Sequence, residues 1–167
     1  MTLRYKLVLL LSTIWLASCG IYSLRGISIP SGINTYFVED FVRGIPNCPV
    51  DLDVESAEVL RRIIREQSKL NINTQEPDIA FLGTISAYNT IPVAPREGNT
   101  TSLNRLEIGI TIEYINYQNE DDNWKKPYSA FQDYDSNADF GALEDDLTDA
   151  ILDDIMERVF NDAFTNW

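Results

Sequence analysis

The chain has 167 residues, of which 44% are hydrophobic and 11% aromatic, which is enough for one folded domain with its own core. Asp and Glu outnumber Lys and Arg by 26 to 13, and a formal net charge of −13 argues against binding nucleic acid or an anionic membrane surface through bulk charge. The sequence has no histidine, which excludes Ser-His-Asp and Cys-His catalysis and every histidine-based metal site. It also has no phosphate-binding glycine loop and no Gly-x-Ser-x-Gly motif.

The first residues have the pattern of a secretory signal peptide. Arg4 and Lys6 precede an apolar run over 7–16, which is shorter than the roughly 20 residues that a membrane span needs. The sequence Leu-Ala-Ser-Cys at 16–19 follows and resembles a bacterial lipobox, in which the signal is cut before the cysteine. We predict a lipoprotein signal peptide over 1–18 and a lipidated Cys19, with acyl chains such as palmitate. The alternative is an ordinary signal peptide followed by a chance cysteine.

Lipidation of Cys19 sets the expected location of the protein. Stable anchoring takes about two acyl chains, and a diacylglycerol together with an acylated amine supplies more than that. No acidic residue directly follows Cys19, as an inner-membrane retention signal would require. We therefore expect an outer-membrane lipoprotein facing the periplasm, with a lipidated tether over 19–34 and a single domain over 35–167. Cys48 is then an unpaired cysteine, and its Pro-Asn-Cys-Pro context favours a partly buried thiol in a turn.

The first half of the domain has the pattern of strand, helix and strand. Alternating side chains over 33–42 predict a strand that places Phe41 on one face and Val42 on the other. An apolar stripe then predicts a helix over 54–69, whose first amides Asp51 or Asp53 can cap. A second strand is predicted over 79–89. Because a crossover helix joins the two strands, they should run parallel.

The second half has the pattern of an antiparallel hairpin and a long helix. Strict alternation over 103–118 predicts a half-buried strand. A fourth strand over 124–134 contains Pro127, which favours either an edge strand or a later strand start. The last helix, predicted over 142–164 with Gly141 as its cap, has an unusually wide apolar face. It should therefore either lie deep in a groove or contact a partner. We interpret its acidic side chains as a solvated face, not as a metal or acid/base cluster: Asp145, Asp146, Asp149, Asp153, Asp154 and Glu157.

These elements predict an α+β domain. It consists of a mixed four-stranded sheet with two helices packed on one face, in the order β-α-β-β-β-α.

Five stretches, in order along the chain, share the pattern of one known family. They are CGIYSLRGISIP (19–30), GTISAYNTIPVA (83–94), NRLEIGITIEY (104–114), YSAFQDYDS (128–136) and VFNDAFTNW (159–167). Together they resemble the LptE-like lipopolysaccharide-assembly lipoproteins. The Asn-Arg-Leu strand opening and the Phe-Asn-x-Ala-Phe-x-Asn-Trp ending are the most specific parts.

The resemblance implies a non-enzymatic role at the outer membrane. Members of this family partner a large β-barrel, plug its lumen, help it assemble and help it deliver lipopolysaccharide to the cell surface. Some members bind lipopolysaccharide directly. We therefore expect no cofactor and no metal, a β-barrel of the lipopolysaccharide-assembly machinery as partner, and lipopolysaccharide as a second candidate ligand.

Lipopolysaccharide is anionic, so an acidic domain that binds it needs a local basic patch. Arg96 and Arg105 flank the loop between the second and third predicted strands, whereas Lys125 and Lys126 lie at the opposite end of the sheet. We hypothesise that Arg96 and Arg105 contact phosphate groups or the barrel wall. The alternative is that they are ordinary loop and strand-start charges. Cys48 departs from the family pattern, in which we expect no cysteine at that place.

Two other classes of function stay open. A lipid-anchored, periplasm-facing module that carries a lipid or a small apolar ligand would need a closed pocket among Phe37, Phe41, Ile85 and Phe160. A carboxylate-dependent hydrolase would need two acids from different elements about 5–9 Å apart. Nothing in the sequence singles out such a pair.

Overall fold

The computed structural model describes residues 29–94 and 102–165. Within these ranges the chain forms six strands, two α-helices and a short 3-10 helix at Glu120–Asp122. In chain order the strands and α-helices are β1 (Thr35–Val38), β2 (Val42–Arg43), α1 (Leu52–Gln67), β3 (Asn71–Ile72), β4 (Ile79–Val93), β5 (Leu103–Asn116), β6 (Trp124–Asp135) and α2 (Phe140–Phe164).

The strands form one mixed sheet in the order β3-β1-β4-β5-β6, and β2 also pairs with β4. β1 runs parallel to β4, whereas β4, β5 and β6 are antiparallel neighbours. The predicted α+β fold is confirmed, and so is the parallel pairing of the first strand with the strand that follows the helix. Pro127 lies in β6, which is an edge strand, as proline in a sheet usually does. The sheet has more strands than the four predicted, because β2 and β3 are short additional pairings.

The strand predicted over 33–42 is divided in two. After β1 the chain leaves the ladder at 39–41 and rejoins β4 where Val42 lies opposite Thr84. This departure changes the alternation, so that Phe41 is 3% exposed and Val42 is 62% exposed. The space that Phe41 fills lies directly over Gly83, which has no side chain to occupy it.

Both helices begin two residues earlier than the sequence predicts. The cap of α2 is Asp139, whose carboxylate accepts from the Gly141 amide at 3.1 Å, so the prediction of Gly141 as the cap is wrong. The reason is chemical, since a carboxylate oxygen satisfies a first-turn amide that glycine cannot. At the start of α1, Asp53 accepts from the Val54 amide at 2.9 Å, while Asp51 occupies the cap position without a side-chain cap bond.

The hydrophobic core lies between the sheet and the two helices. The residues of β5 that alternation assigned to the buried face are indeed buried: Leu106, Ile108, Ile110, Ile112 and Tyr114. α2 packs against α1, β5 and β6. Its wide apolar face is therefore buried within the domain, and the helix lies deep in a groove. The buried residues of this face are Ile151, Leu152, Ile155, Met156, Val159, Phe160 and Phe164.

Candidate functional site

Of the three predicted site residues, the lipidation site Cys19 and the contact residues Arg96 and Arg105, the structure describes only Arg105. Cys19 and Arg96 lie outside the described residues, so lipidation and a contact at Arg96 stay predictions. Arg105 is the third residue of β5, close to the end of the sheet at which β4 and β5 are connected. In the described part of the chain, no helix has the length and apolar character of a membrane span.

Arg105 is held on the outer face of the sheet, away from the helices, by a forked ion pair. In the ladder it lies between Ile91 of β4 and Asp133 of β6. Its Nε donates to Asp133 Oδ1 at 2.6 Å, and its Nη2 donates to Asp133 Oδ2 at 2.9 Å. The guanidinium carbon also lies 3.5 Å from the centre of the Phe131 ring. Two parallel hydrogen bonds and a ring face together fix the orientation of the guanidinium.

The charge of Arg105 is matched within the protein. Hydrogen bonding to Asp133 holds the pKa of Arg105 above its usual range. A phosphate group that approached Arg105 would have to share or displace the Asp133 carboxylate. The structure thus provides a paired arginine at this place, and phosphate contact stays a prediction.

Two large apolar side chains flank the Arg105–Asp133 ion pair on the outer face. Ile91 is 43% exposed and Phe131 is 50% exposed, on a face that also presents polar residues such as Glu107. We call the surface formed by Ile91, Arg105, Phe131 and Asp133 the hairpin patch. Exposed apolar groups rimmed by polar ones are typical of protein contact sites. Of these four residues, only Arg105 was identified from the sequence. The alternation within each strand could have placed the other three on the same outer face.

The lysines at the opposite end of the sheet also have carboxylate partners. Lys125 Nζ lies 2.8 Å from Glu113, and Lys126 Nζ lies 3.0 Å from Asp162. Tyr128 donates to the same Asp162 at 2.8 Å. Burial alone would raise the pKa of Asp162, but the hydrogen bonds from Lys126 and Tyr128 outweigh it and lower that pKa.

The place where a carrier module would need a pocket is filled by side chains. Phe41, Ile85 and Phe160 are buried in one continuous hydrophobic core, whereas Phe37, the fourth residue of the predicted pocket, is half-buried and not part of that core. The ring of Phe160 lies 4.9 Å, centre to centre, from that of Phe164, which in turn lies 6.2 Å from Phe81. Packed aromatic rings at this place count against the carrier hypothesis.

The acidic residues of α2 divide into two groups. Asp153 pairs with Arg62 of α1, and Asp154 pairs with Arg158 at 3.1 Å. Nearer the start of the helix, Asp145 and Asp149 line a cleft with Glu55 of α1 and with Asp51, which directly precedes α1. Among the described residues, no group of three or more Cys, Asp or Glu side chains has the arrangement of a metal site.

Comparison with known proteins gives one family and several similar folds. The sequence model of the family LptE, described as lipopolysaccharide-assembly, matches residues 24–163. No curated protein matches the chain.

Three solved structures show the same fold. A minor lipoprotein from Acinetobacter baumannii has 12% identity and a TM-score of 0.51, with 77% of this chain and 90% of that chain covered. A hypothetical protein, CT253, from Chlamydia trachomatis has 11% identity and a TM-score of 0.54, covering 80% and 99%. The rare lipoprotein B from Shewanella oneidensis has 10% identity and a TM-score of 0.51, covering 75% and 91%. At these identities the likeness concerns the fold alone.

Proposed function

The chain belongs to the LptE family of lipopolysaccharide-assembly proteins, and from this premise we propose that it partners and plugs an outer-membrane β-barrel that translocates lipopolysaccharide. In this role it supports assembly of the barrel and delivery of lipopolysaccharide to the cell surface. It has no catalytic step of its own. The observation that carries the proposal is the family match over residues 24–163, which spans nearly all of the chain after the predicted signal peptide.

The lipid anchor brings the domain to its partner. Acyl chains on Cys19 hold the protein in the membrane that contains the barrel. Tethering two partners in one membrane raises their effective concentration, so a modest contact surface suffices for stable association.

The filled core supports a plug over a carrier. A plug presents a firm outer surface to a barrel wall, whereas a carrier keeps space inside for its ligand. Phe41, Ile85 and Phe160 occupy that space here. The apolar face of α2 is buried against the other elements of the domain, so the outer face of the sheet is the better candidate for contact.

We place the barrel contact at the hairpin patch, together with Arg96 in the adjoining loop. Arginine and aromatic residues are enriched at protein interfaces, and the patch offers both in Arg105 and Phe131. Because Arg105 is already paired with Asp133, the patch can be covered by protein without leaving an uncompensated charge. This pairing favours the barrel wall over a lipopolysaccharide phosphate as the group that Arg105 meets.

Affinity purification of the tagged protein from outer membranes in mild detergent, followed by mass spectrometry, tests the proposal. We expect a large β-barrel at near-equal stoichiometry. Recovery of the protein without a barrel, but with a retained lipid or small ligand, would overturn it in favour of the carrier module. As a matched pair of variants, Phe131→Ser should reduce barrel recovery, whereas Val42→Ser, at an exposed position distant from the hairpin patch, should not.

A further inference from the structure

One edge of the sheet is formed by β6, which pairs with β5 on one side and with no described strand on the other. Ser136 donates to the carbonyl of Ser102, directly opposite, at 3.1 Å. Even-numbered residues of β6 are therefore bonded to β5, and odd-numbered residues direct their N–H and C=O groups to the free edge. Phe131 presents both groups there, at a residue that is 50% exposed, and nothing in the described chain bonds them.

The two halves of this free edge differ in how they are protected. In the first half, Pro127 has no N–H to offer, and the Ser129 carbonyl accepts from Arg158 of α2 at 2.6 Å. Proline, charged side chains and cover from another element are the usual means by which a free edge is kept from pairing with another chain. Phe131, in the second half, has none of these, so the edge is open to a further strand from this residue onward.

The helix beside this open half supplies apolar surface. The ring of Phe140 lies 5.4 Å, centre to centre, from that of Tyr134 in β6, and Arg158 also reaches β6, so the stripe of α2 between them runs along the free edge. Leu147 lies on this stripe, two turns after Phe140, and Leu143 lies one turn before Leu147. Both leucines are only partly buried. We call the space between the Phe131 backbone and these two leucines the edge groove.

The outer face of the sheet beside the edge groove is acidic. Asp133 and Asp135 lie on this face because side chains alternate along β6. Asp133 is paired with Arg105, whereas Asp135 has no ion pair in the described part of the chain and accepts only from Asn137. A cationic segment would match Asp135 and the net charge of −13 of the whole chain.

We propose that the edge groove binds an extended segment of a partner protein in which basic and apolar residues alternate, added as a further strand beside β6. Main-chain bonds to Phe131 hold the segment, and alternate side chains give specificity. Its apolar side chains lie over Leu143 and Leu147, and its basic side chains lie on the outer face beside Asp135.

A second copy of this chain fits the edge groove less well than a basic segment does. If β6 paired with β6 of another copy, each strand would bring Pro127 and an already occupied Ser129 carbonyl to the new ladder. Two chains of net charge −13 would also repel each other. The edge groove consists of β6 backbone and the flank of α2, so the inference is independent of the proposed barrel contact at the hairpin patch.

Fluorescence anisotropy on the full-length lipoprotein in mild detergent tests the inference. The probe is the fluorescein-labelled peptide Arg-Val-Lys-Val-Arg-Val-Lys-amide, and a peptide with Glu at each basic position is the control for charge. Two further peptides carry N-methyl groups either at the basic residues or at the valines. A residue whose side chain lies on the outer face turns its N–H toward β6, so only methylation of the basic residues should block the ladder. We expect saturable binding of the probe, little loss in the valine-methylated peptide, and binding on the order of tenfold weaker in the other two.

Variants of the protein locate the binding site. Leu147→Lys places a positive charge in the edge groove and should weaken binding of the probe on the order of tenfold. Ser129→Pro removes one N–H from the free edge without removing a bond to β5 and should weaken it several-fold. Val50→Lys makes the same change of charge at a residue that is 78% exposed and directly precedes α1 by one turn or less, and should leave affinity unchanged. Urea denaturation shows whether each variant is folded, and the methylated peptides test the wild type without any substitution.

Three results would overturn the inference: no binding of the probe, equal binding of the two methylated peptides, or unchanged affinity in both Leu147→Lys and Ser129→Pro. A dimer in light scattering that the probe dissociates would assign the edge to a second copy instead. Probe binding that appears only after deletion of residues 20–28 would assign it to the lipidated tether, and either result would equally overturn the proposed partner.

Discussion

The ring of Phe41 packs directly against Gly83 in β4, at a place where an added side chain would overlap the ring. Phe41 is buried in the segment between β1 and β2, so its ring cannot turn out into solvent without exposing apolar surface. We expect Gly83→Ala to lower the free energy of unfolding by about 1–3 kcal/mol, the usual range for overpacking a core. Urea denaturation of the purified protein measures this change.

Gly141→Ala is the matched control for this substitution. Gly141 lies in the first turn of α2, where an added methyl group would meet only an Asp139 carboxylate oxygen at 3.6 Å, an ordinary contact. Alanine forms helices better than glycine, so the free energy of unfolding should stay the same or rise by up to about 1 kcal/mol. An equal loss of stability in both variants would show that the Phe41 contact is not the cause.

Glu55 should make the domain less stable as the pH rises toward neutrality. Its pKa is raised from 4.5 to about 7, first by burial and then by Asp149, Asp51 and Asp145. Between these two pH values the folded chain holds a proton that the unfolded chain has already lost, so its stability falls as the pH rises through this window. Glu55→Gln, which is neutral throughout, should therefore raise the free energy of unfolding at pH 8 and change it little near pH 4. Because solvent screens a partly exposed carboxyl group, the gain at pH 8 should be on the order of 1 kcal/mol.

Urea titrations at both pH values check this prediction. Asp146→Asn removes a carboxylate from the exposed side of α2 and serves as the control. It should shift stability by a similar, small amount at both pH values. If Glu55→Gln behaved in the same way, the carboxyl groups of the cleft would not be coupled as the structure places them.

Some features of the domain follow from local sequence. In β5 every second residue from Leu106 to Tyr114 is apolar, and this period of two identifies the buried face without knowledge of the neighbouring strands. Pro127 likewise indicates an edge strand, because it cannot donate to a ladder on either side. Both predictions are confirmed, since each depends on the chemistry of one segment.

Other features depend on residues that are distant along the chain. The inward turn of Phe41 requires Gly83 on another strand, and the pairing of Arg105 with Asp133 requires the register of β5 against β6. The cleft lined by Glu55 and Asp149 is of the same kind. Seen alone, Glu55 looks like a favourable charge at the start of α1, and Asp149 looks like part of a solvated face of α2. Only the packing of the two helices brings them together. The spacing of apolar and polar residues within one segment does not reveal such contacts between segments.

Cys19→Ser should detach the protein from the outer membrane. Without the thioether lipid, the chain loses roughly 0.8 kcal/mol of membrane affinity for each buried methylene. The variant should either keep its signal peptide or be sorted to the wrong compartment. Membrane fractionation followed by immunoblotting measures this. Cys48→Ser is the control, since that thiol lies partly buried with its Sγ 3.7 Å from the Ile45 carbonyl oxygen, and its fractionation should match the wild type. If Cys19→Ser fractionated as the wild type does, the prediction of a lipobox would be wrong.

Charge reversal at the hairpin end of the sheet tests the predicted contact there. Arg105→Glu combined with Arg96→Glu should reduce both barrel recovery and delivery of lipopolysaccharide to the surface, because the first change also sets two carboxylates against each other across β5 and β6. Lys125→Glu reverses a charge on the same face at the opposite end, where Lys125 pairs with Glu113, and should have little effect. If the double reversal changed neither readout, the contact hypothesis would be abandoned.

Asp133→Asn then distinguishes the two kinds of contact, because it releases Arg105 from its forked pair while keeping the size of the side chain. If Arg105 meets a phosphate, the freed guanidinium should bind lipopolysaccharide more tightly than the wild type does. If the patch meets the barrel wall as a neutral pair, the unbalanced charge should weaken barrel recovery, since a charge buried without its partner destabilises a complex. We expect the second result, measured as the ratio of barrel to bait after purification; stronger binding of lipopolysaccharide with unchanged barrel recovery would assign Arg105 to the ligand instead.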